Sequence, residues 1–170
     1  LFNHAEAVNA GAAAASGKWI LLIDADVLVP RQFAKPLAQL LESEEARNRY
    51  YVAVESAERK TTSRSTLMGV CLVRKTSFDR AGGYDIRYNE YGGSDYDLRY
   101  SLQRLRHREI LIPRSHDFRH LKHEKSERTT YYTVKDFRES ITMSKKKFCE
   151  KWRCDESAYY PTQRTDYETP

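Results

Sequence analysis

Ile20-Leu21-Leu22-Ile23-Asp24-Ala25-Asp26-Val27 is an apolar run that ends on two carboxylates one residue apart. Near-continuous Ile and Leu predict a strand buried on both faces, as parallel strands are. Asp is a poor strand residue, so the acidic pair marks the strand's carboxyl end. In open α/β sheets that edge is where ligands bind. Two close carboxylates repel unless they are solvated or share a cation, and a divalent ion holding a nucleotide diphosphate would supply one. Taken alone, the tripeptide fits a solvated turn better, because Asp is common there.

Outward from this run, the Ala-rich residues 3–15 predict a helix, closed by Ser16-Gly17. The strand spans 19–23. Pro30 suits the first turn of a helix over 31–47, where Phe33, Leu37, Leu40 and Leu41 keep helical spacing. Strands are predicted at 50–54, 67–73 and 110–112, the last stopped by Pro113, with a polar loop over 56–66. A short helix at 76–81 closes on Gly82-Gly83, an irregular loop covers 84–94, and a helix runs from Asp95 through Leu98, Leu102 and Leu105. Residues 126–153 predict one or two surface helices, and 155–170 a flexible tail. The order is that of an α/β protein. The chain opens inside a helix rather than on a strand and its ligand-binding loop, so the first strand or strands are expected to be missing through N-terminal truncation.

The 170 residues have the size of one domain, and 40% apolar residues suffice for a core. No stretch approaches the ~20 apolar residues that cross a bilayer. Cys71, Cys149 and Cys154 are too few for a disulfide framework. Lys and Arg outnumber Asp and Glu by twelve to six between Arg114 and Cys154. That excess could face an anionic ligand, a polyanionic acceptor or a membrane surface, or be a solvated helix face.

Three more groups carry chemistry. Gly82-Gly83-Tyr84-Asp85 and Tyr91-Gly92-Gly93-Ser94-Asp95-Tyr96-Asp97-Leu98 combine flexible backbone with an acid at a helix mouth. There the helix dipole favours the carboxylate, the state a general base needs. An N-capping Asp explains Asp95 about as well. His120 and His123, with His116 upstream, can converge on one ion if their turn is helical or bent. In Phe2-Asn3-His4-Ala5-Glu6-Ala7-Val8-Asn9-Ala10-Gly11, an Asn could cap a helix or hold a nucleotide.

In this order, these segments resemble the family 2-like glycosyltransferases of the GT-A fold, and most of all the β-1,4-galactosyltransferase and chondroitin-polymerase branch. FNHAEAVNAG is similar to that branch's FNRAKxLNxG helix, and IDADVLVP to its DxD strand. FDRAGGYDIRYNEYGGSDYDL resembles the NGF/GGF…WGGEDxDL segment, and His120 to His123 the metal-binding HxxH turn. The implied fold is a Rossmann-like mixed sheet flanked by helices. Its partial GT-A domain would run over 1–125, with a helical extension of the same domain over 126–154.

The resemblance implies a metal-dependent inverting transfer of galactose or an N-acetylhexosamine from a UDP-sugar to an oligosaccharide, polysaccharide or glycoconjugate hydroxyl. Asp26, His120 and His123 would hold Mn²⁺ or another divalent cation. Asn3, His4, Asn9, Asp24 and Asp26 would face the donor nucleotide. Asp95 would be the base, and Tyr91, Gly92, Gly93 and Ser94 would meet the acceptor sugar. Tyr84 and Tyr91 could stack on a sugar face or pack in the core, and Asp97 would support the loop or cap the helix. Nucleic acid is not expected as a partner, and the basic 114–154 segment could make a peripheral membrane contact. The compartment stays open: a bacterial or viral enzyme of this kind would be cytoplasmic, a eukaryotic one lumenal behind a missing anchor. The chain departs from the pattern with Tyr91 for Trp, Ser94 for Glu and His4 for Arg. The loss of the Glu makes an inactive module that binds glycans or partners the alternative.

Overall fold

The computed structural model describes residues 2–54, 66–112, 118–121, 124 and 127–159. The loop predicted over 56–66 therefore lies almost wholly outside the described residues, as do Pro113, His116 and His123. The described chain forms two compact units, and it passes between them within α3 (Lys75–Ala81) and α4 (Ser94–Arg104).

One unit, built from 17–77 and 102–121, holds the sheet. Strands β1 (Trp19–Leu22), β3 (Arg49–Val54), β4 (Thr66–Arg74) and β5 (Arg108–Leu111) lie in the order β1-β4-β3-β5. β4 is antiparallel to both β1 and β3, whereas β3 and β5 are parallel. This is a mixed α/β sheet, as expected. Reading β1 itself as parallel is corrected: Leu21 faces Leu72 in an antiparallel ladder. Its run looks continuous because both faces carry apolar side chains. Ile20 and Leu22 are buried, and half-buried Trp19 and Leu21 pack against the core of Tyr51, Leu72, Ile110 and Phe118.

Helix α2 (Ala34–Leu41) adds Leu37 to that core. It is shorter than the periodicity predicts. Pro30 does not open it; the Pro30 carbonyl accepts the Phe33 N–H in a separate turn. Pro36 lies instead in its first turn, where no intrahelical donor is lost. After Leu41 the chain tightens into a 3₁₀ turn over Glu44–Asn48.

The other unit takes residues 2–16, 78–101 and the described residues from 124 to 159. Helix α1 (His4–Ala14) is capped by Asn3, whose Oδ1 accepts the Glu6 N–H at 3.2 Å. Helix α5 (Phe137–Trp152) is capped by Asp136, which accepts the Glu139 N–H at 2.8 Å. Its buried face is unusual in being hydroxylic. Ser140 Oγ accepts the Tyr91 N–H at 2.7 Å, and Ser144 Oγ donates to the Gly92 carbonyl at 2.9 Å. These bonds seat the 88–93 loop on α5.

Gly93 has φ +92°, and a Cβ there would come within 3 Å of the Tyr88 ring and Ser144. The glycine's close approach is to the Tyr88 ring of its own loop and to Ser144 of α5. The tail expected from 155 onward is corrected in its first part. Residues Glu156–Ala158 form a 3₁₀ turn, and Tyr159 is fully buried with Tyr88 and Phe148. An aromatic ring with a core to fill overrides the polar composition around it.

Candidate active site

The acidic pair lies just beyond β1, as its composition requires. Asp24 accepts the Val27 N–H at 3.1 Å, closing a turn into the two-residue strand β2 (Val27–Leu28). Asp24 and Asp26 are therefore two positions apart in one turn, so the strand end and the turn are both present. The Asp24 carboxylate lies over Gly69 of β4, where any Cβ would overlap its oxygens. That accounts for a glycine inside a nine-residue strand.

Strand β2 pairs with β6 (Arg119–His120), Val27 facing His120, and the Leu121 N–H donates to the Asp26 carbonyl at 2.7 Å. This short ladder brings His120 Nε2 to 3.1 Å from Asp26 Oδ2. His120 lies on this strand, and the turn that would bring His123 beside it lies outside the described residues. The backbone pairing of β2 with β6 delivers the His120 imidazole to Asp26. Two ligand atoms ~2.1 Å from one ion at a right angle lie about 3 Å apart, so this pair fits two adjacent positions around a cation. Among the described residues no group of three or more His, Cys, Asp or Glu could hold a metal ion.

In the other unit Asp95 occupies the first turn of α4 and is half-buried. Tyr84 OH donates to Asp95 Oδ1. Burial pushes the Asp95 carboxyl above the ordinary carboxylate range; the Tyr84 hydrogen bond and the charges of His4 and Arg99 oppose that rise. A carboxylate whose proton affinity is raised by burial is a stronger proton acceptor once ionised, which suits a base. Ser94, beside it, is 5% exposed.

Both amides expected at a donor nucleotide hydrogen-bond within the protein. Asn3 Nδ2 donates to the Ile86 carbonyl at 3.1 Å. Asn9 donates to the Tyr84 carbonyl at 2.8 Å and accepts the Tyr84 N–H at 2.9 Å. His4 lies with its ring 5.6 Å from that of Tyr84. Tyr91 is half-buried between Phe137 and Tyr132, and Arg128 Nη1 donates to its hydroxyl at 3.1 Å.

Sequence reasoning missed the buried charge network beneath this loop. Asp97 is 0% exposed and accepts from Lys151 Nζ and Trp152 Nε1, both at 2.7 Å. Lys151 also reaches Asp85 at 3.0 Å, and Lys147 meets the buried Glu90 at 2.5 Å. Two lysines of the basic 114–154 segment thus pair with acids within the unit. No spacing rule links residues 97 and 151; the only signal was an acid two positions after the candidate base. Among the described residues no helix is long and apolar enough to cross a membrane.

The family model for glycosyl transferase family 2 matches residues 2–151, nearly nine-tenths of the chain. No curated protein matches it.

Proposed function

The chain belongs to glycosyl transferase family 2, and we propose that it moves a galactose or N-acetylhexosamine from a UDP-sugar to a glycan hydroxyl with inversion, in the manner of the β-1,4-galactosyltransferase and chondroitin-polymerase branch. The observation that carries this reading is the 3.1 Å approach of His120 Nε2 to Asp26 Oδ2 at the end of the first strand. Asp24, seated over Gly69, is the donor-side partner.

Asp26 and His120, with His123, are the proposed ligands of Mn²⁺ or another divalent cation. When bound, such an ion offsets the charge that gathers on a departing diphosphate. Asp95 takes the proton of the acceptor hydroxyl as its oxygen bonds to the anomeric carbon. The bond from that carbon to the diphosphate breaks on the opposite face, and its electron pair leaves with UDP.

Calorimetry of UDP binding tests the donor half. UDP affinity should rise at least tenfold with Mn²⁺, and Asp26→Asn should remove that gain, a ~100-fold loss of metal affinity being expected when a ligand rather than its support is replaced. UDP affinity that ignores both Mn²⁺ and Asp26→Asn would overturn the metal assignment.

A second result bears on Asp24. Gly69→Ala places a methyl group where the carboxylate lies, so it should weaken Mn²⁺-dependent UDP binding about tenfold and destabilise by about 1–3 kcal/mol. Wild-type binding by a folded Gly69→Ala protein, with folding checked by a thermal melt, would remove Asp24 from the donor site.

A further inference from the structure

Tyr84 stands between two fixed points. Its backbone is clamped to α1 by the paired Asn9 bonds of 2.8 and 2.9 Å. Its ring is 3% exposed as a residue and packs near Phe78 and His4, with centroids 6.3 and 5.6 Å away. A phenol fixed at its backbone and along its ring has little freedom left, and its hydroxyl donates to Asp95 Oδ1. That bond selects one rotation of a carboxylate that would otherwise turn about χ2.

We propose that Tyr84 is the positioning residue of Asp95, with Asn9 holding Tyr84 in place and the Tyr84 hydroxyl setting both the orientation and the proton affinity of the base. The inference rests on the reading of Asp95 as the base. Among the described residues, Tyr84 from the 84–94 loop, His4 from α1 and Arg99 from α4 itself act on this carboxyl. Each favours the ionised form against burial, and Tyr84 has the largest effect of the three. Tyr84→Phe removes the donor while keeping the ring, so the carboxyl should hold its proton more tightly. Hydrogen bonds to charged groups are strong enough to move a titration by about one pH unit.

The test compares the native chain, Tyr84→Phe and a protein carrying 3-fluorotyrosine at position 84, whose phenol is the stronger donor. Two readouts are taken: the ¹³C titration of the Asp95 carboxyl, and the pH dependence of UDP-galactose turnover. Tyr84→Phe should move the titration midpoint and the acidic limb of kcat upward together by about one unit. Turnover would then be about tenfold lower on that limb and recover at higher pH. The fluorinated protein should move both readouts downward.

Superimposable titrations in all three proteins would overturn the positioning role, as would a uniform loss of kcat with an unshifted limb. Asp95→Asn, measured alongside, separates the two questions. If it turns over donor like the native chain, Asp95 is not the base and both readings fall. If it is inactive while the Tyr84→Phe limb is unmoved, only the positioning role falls.

Discussion

Asp95→Asn is expected to lower kcat for sugar transfer by about 10²–10⁴-fold while leaving UDP affinity within about twofold of the native value. Asparagine keeps a carbonyl oxygen at the same position, so the Tyr84 hydroxyl retains its acceptor and the loop keeps its shape. What is lost is the capacity to take a proton. The pH dependence carries a sign. Because burial raises the Asp95 pKa above the ordinary 3.8, the base is ionised only above that raised value. Native kcat should therefore fall as pH falls through it, whereas the Asp95→Asn protein should show a low, flat rate. Stopped assays of UDP release with UDP-galactose, paired with UDP calorimetry, make the measurement. A variant that loses donor binding together with transfer would show that Asp95 serves the donor and is not the base.

Lys151→Met is expected to destabilise its unit by about 3–5 kcal/mol, with the lower end favoured because the Lys151 side chain is 23% exposed. The ammonium lies 2.7 Å from Asp97 Oδ2, and Asp97 has no exposure of its own. Without it the buried carboxylate keeps the Trp152 N–H at 2.7 Å and a long contact of 3.5 Å from Tyr88 OH. Lys151→Met/Asp97→Asn should recover a large part of the loss, since it leaves no unpaired buried charge. Urea unfolding of the three proteins reads this directly, and a native midpoint for Lys151→Met would sink the network's structural role.

Asp85 adds a pH term to the same network. Arg87 first, and Lys151 after it, hold the Asp85 carboxyl well below the usual range of 3.8. A depressed folded-state pKa means stability that is fully present above about pH 4 and lost as pH falls below it. The Arg87 side chain is 65% exposed, so solvent screening keeps that contribution small.

The amino-acid sequence alone determined the helix at α1, the strand leading into Asp24, the helix opening at Asp95 and the α/β class. Each of these is written in local periodicity, capping or turn chemistry: Asn3 before α1, Ile-Leu-Leu-Ile before two acids, Gly-Gly before an acidic first turn. It also placed the two acids and the candidate base by their motifs. Tertiary structure decided what no local pattern encodes.

The direction of β1 depends on its partner β4, and an antiparallel strand with two apolar faces reads like a parallel one. His120 meets Asp26 through a two-residue ladder whose partners lie more than ninety positions apart. Gly69 is explained only by the Asp24 carboxylate resting over it. Asn9 belongs to Tyr84, and Lys151 to Asp97, through hydrogen bonds that span 75 and 54 positions. Charge and polarity advertise a residue's chemistry within the chain, but burial decides which partner it must find. Burial is set only when the segments pack.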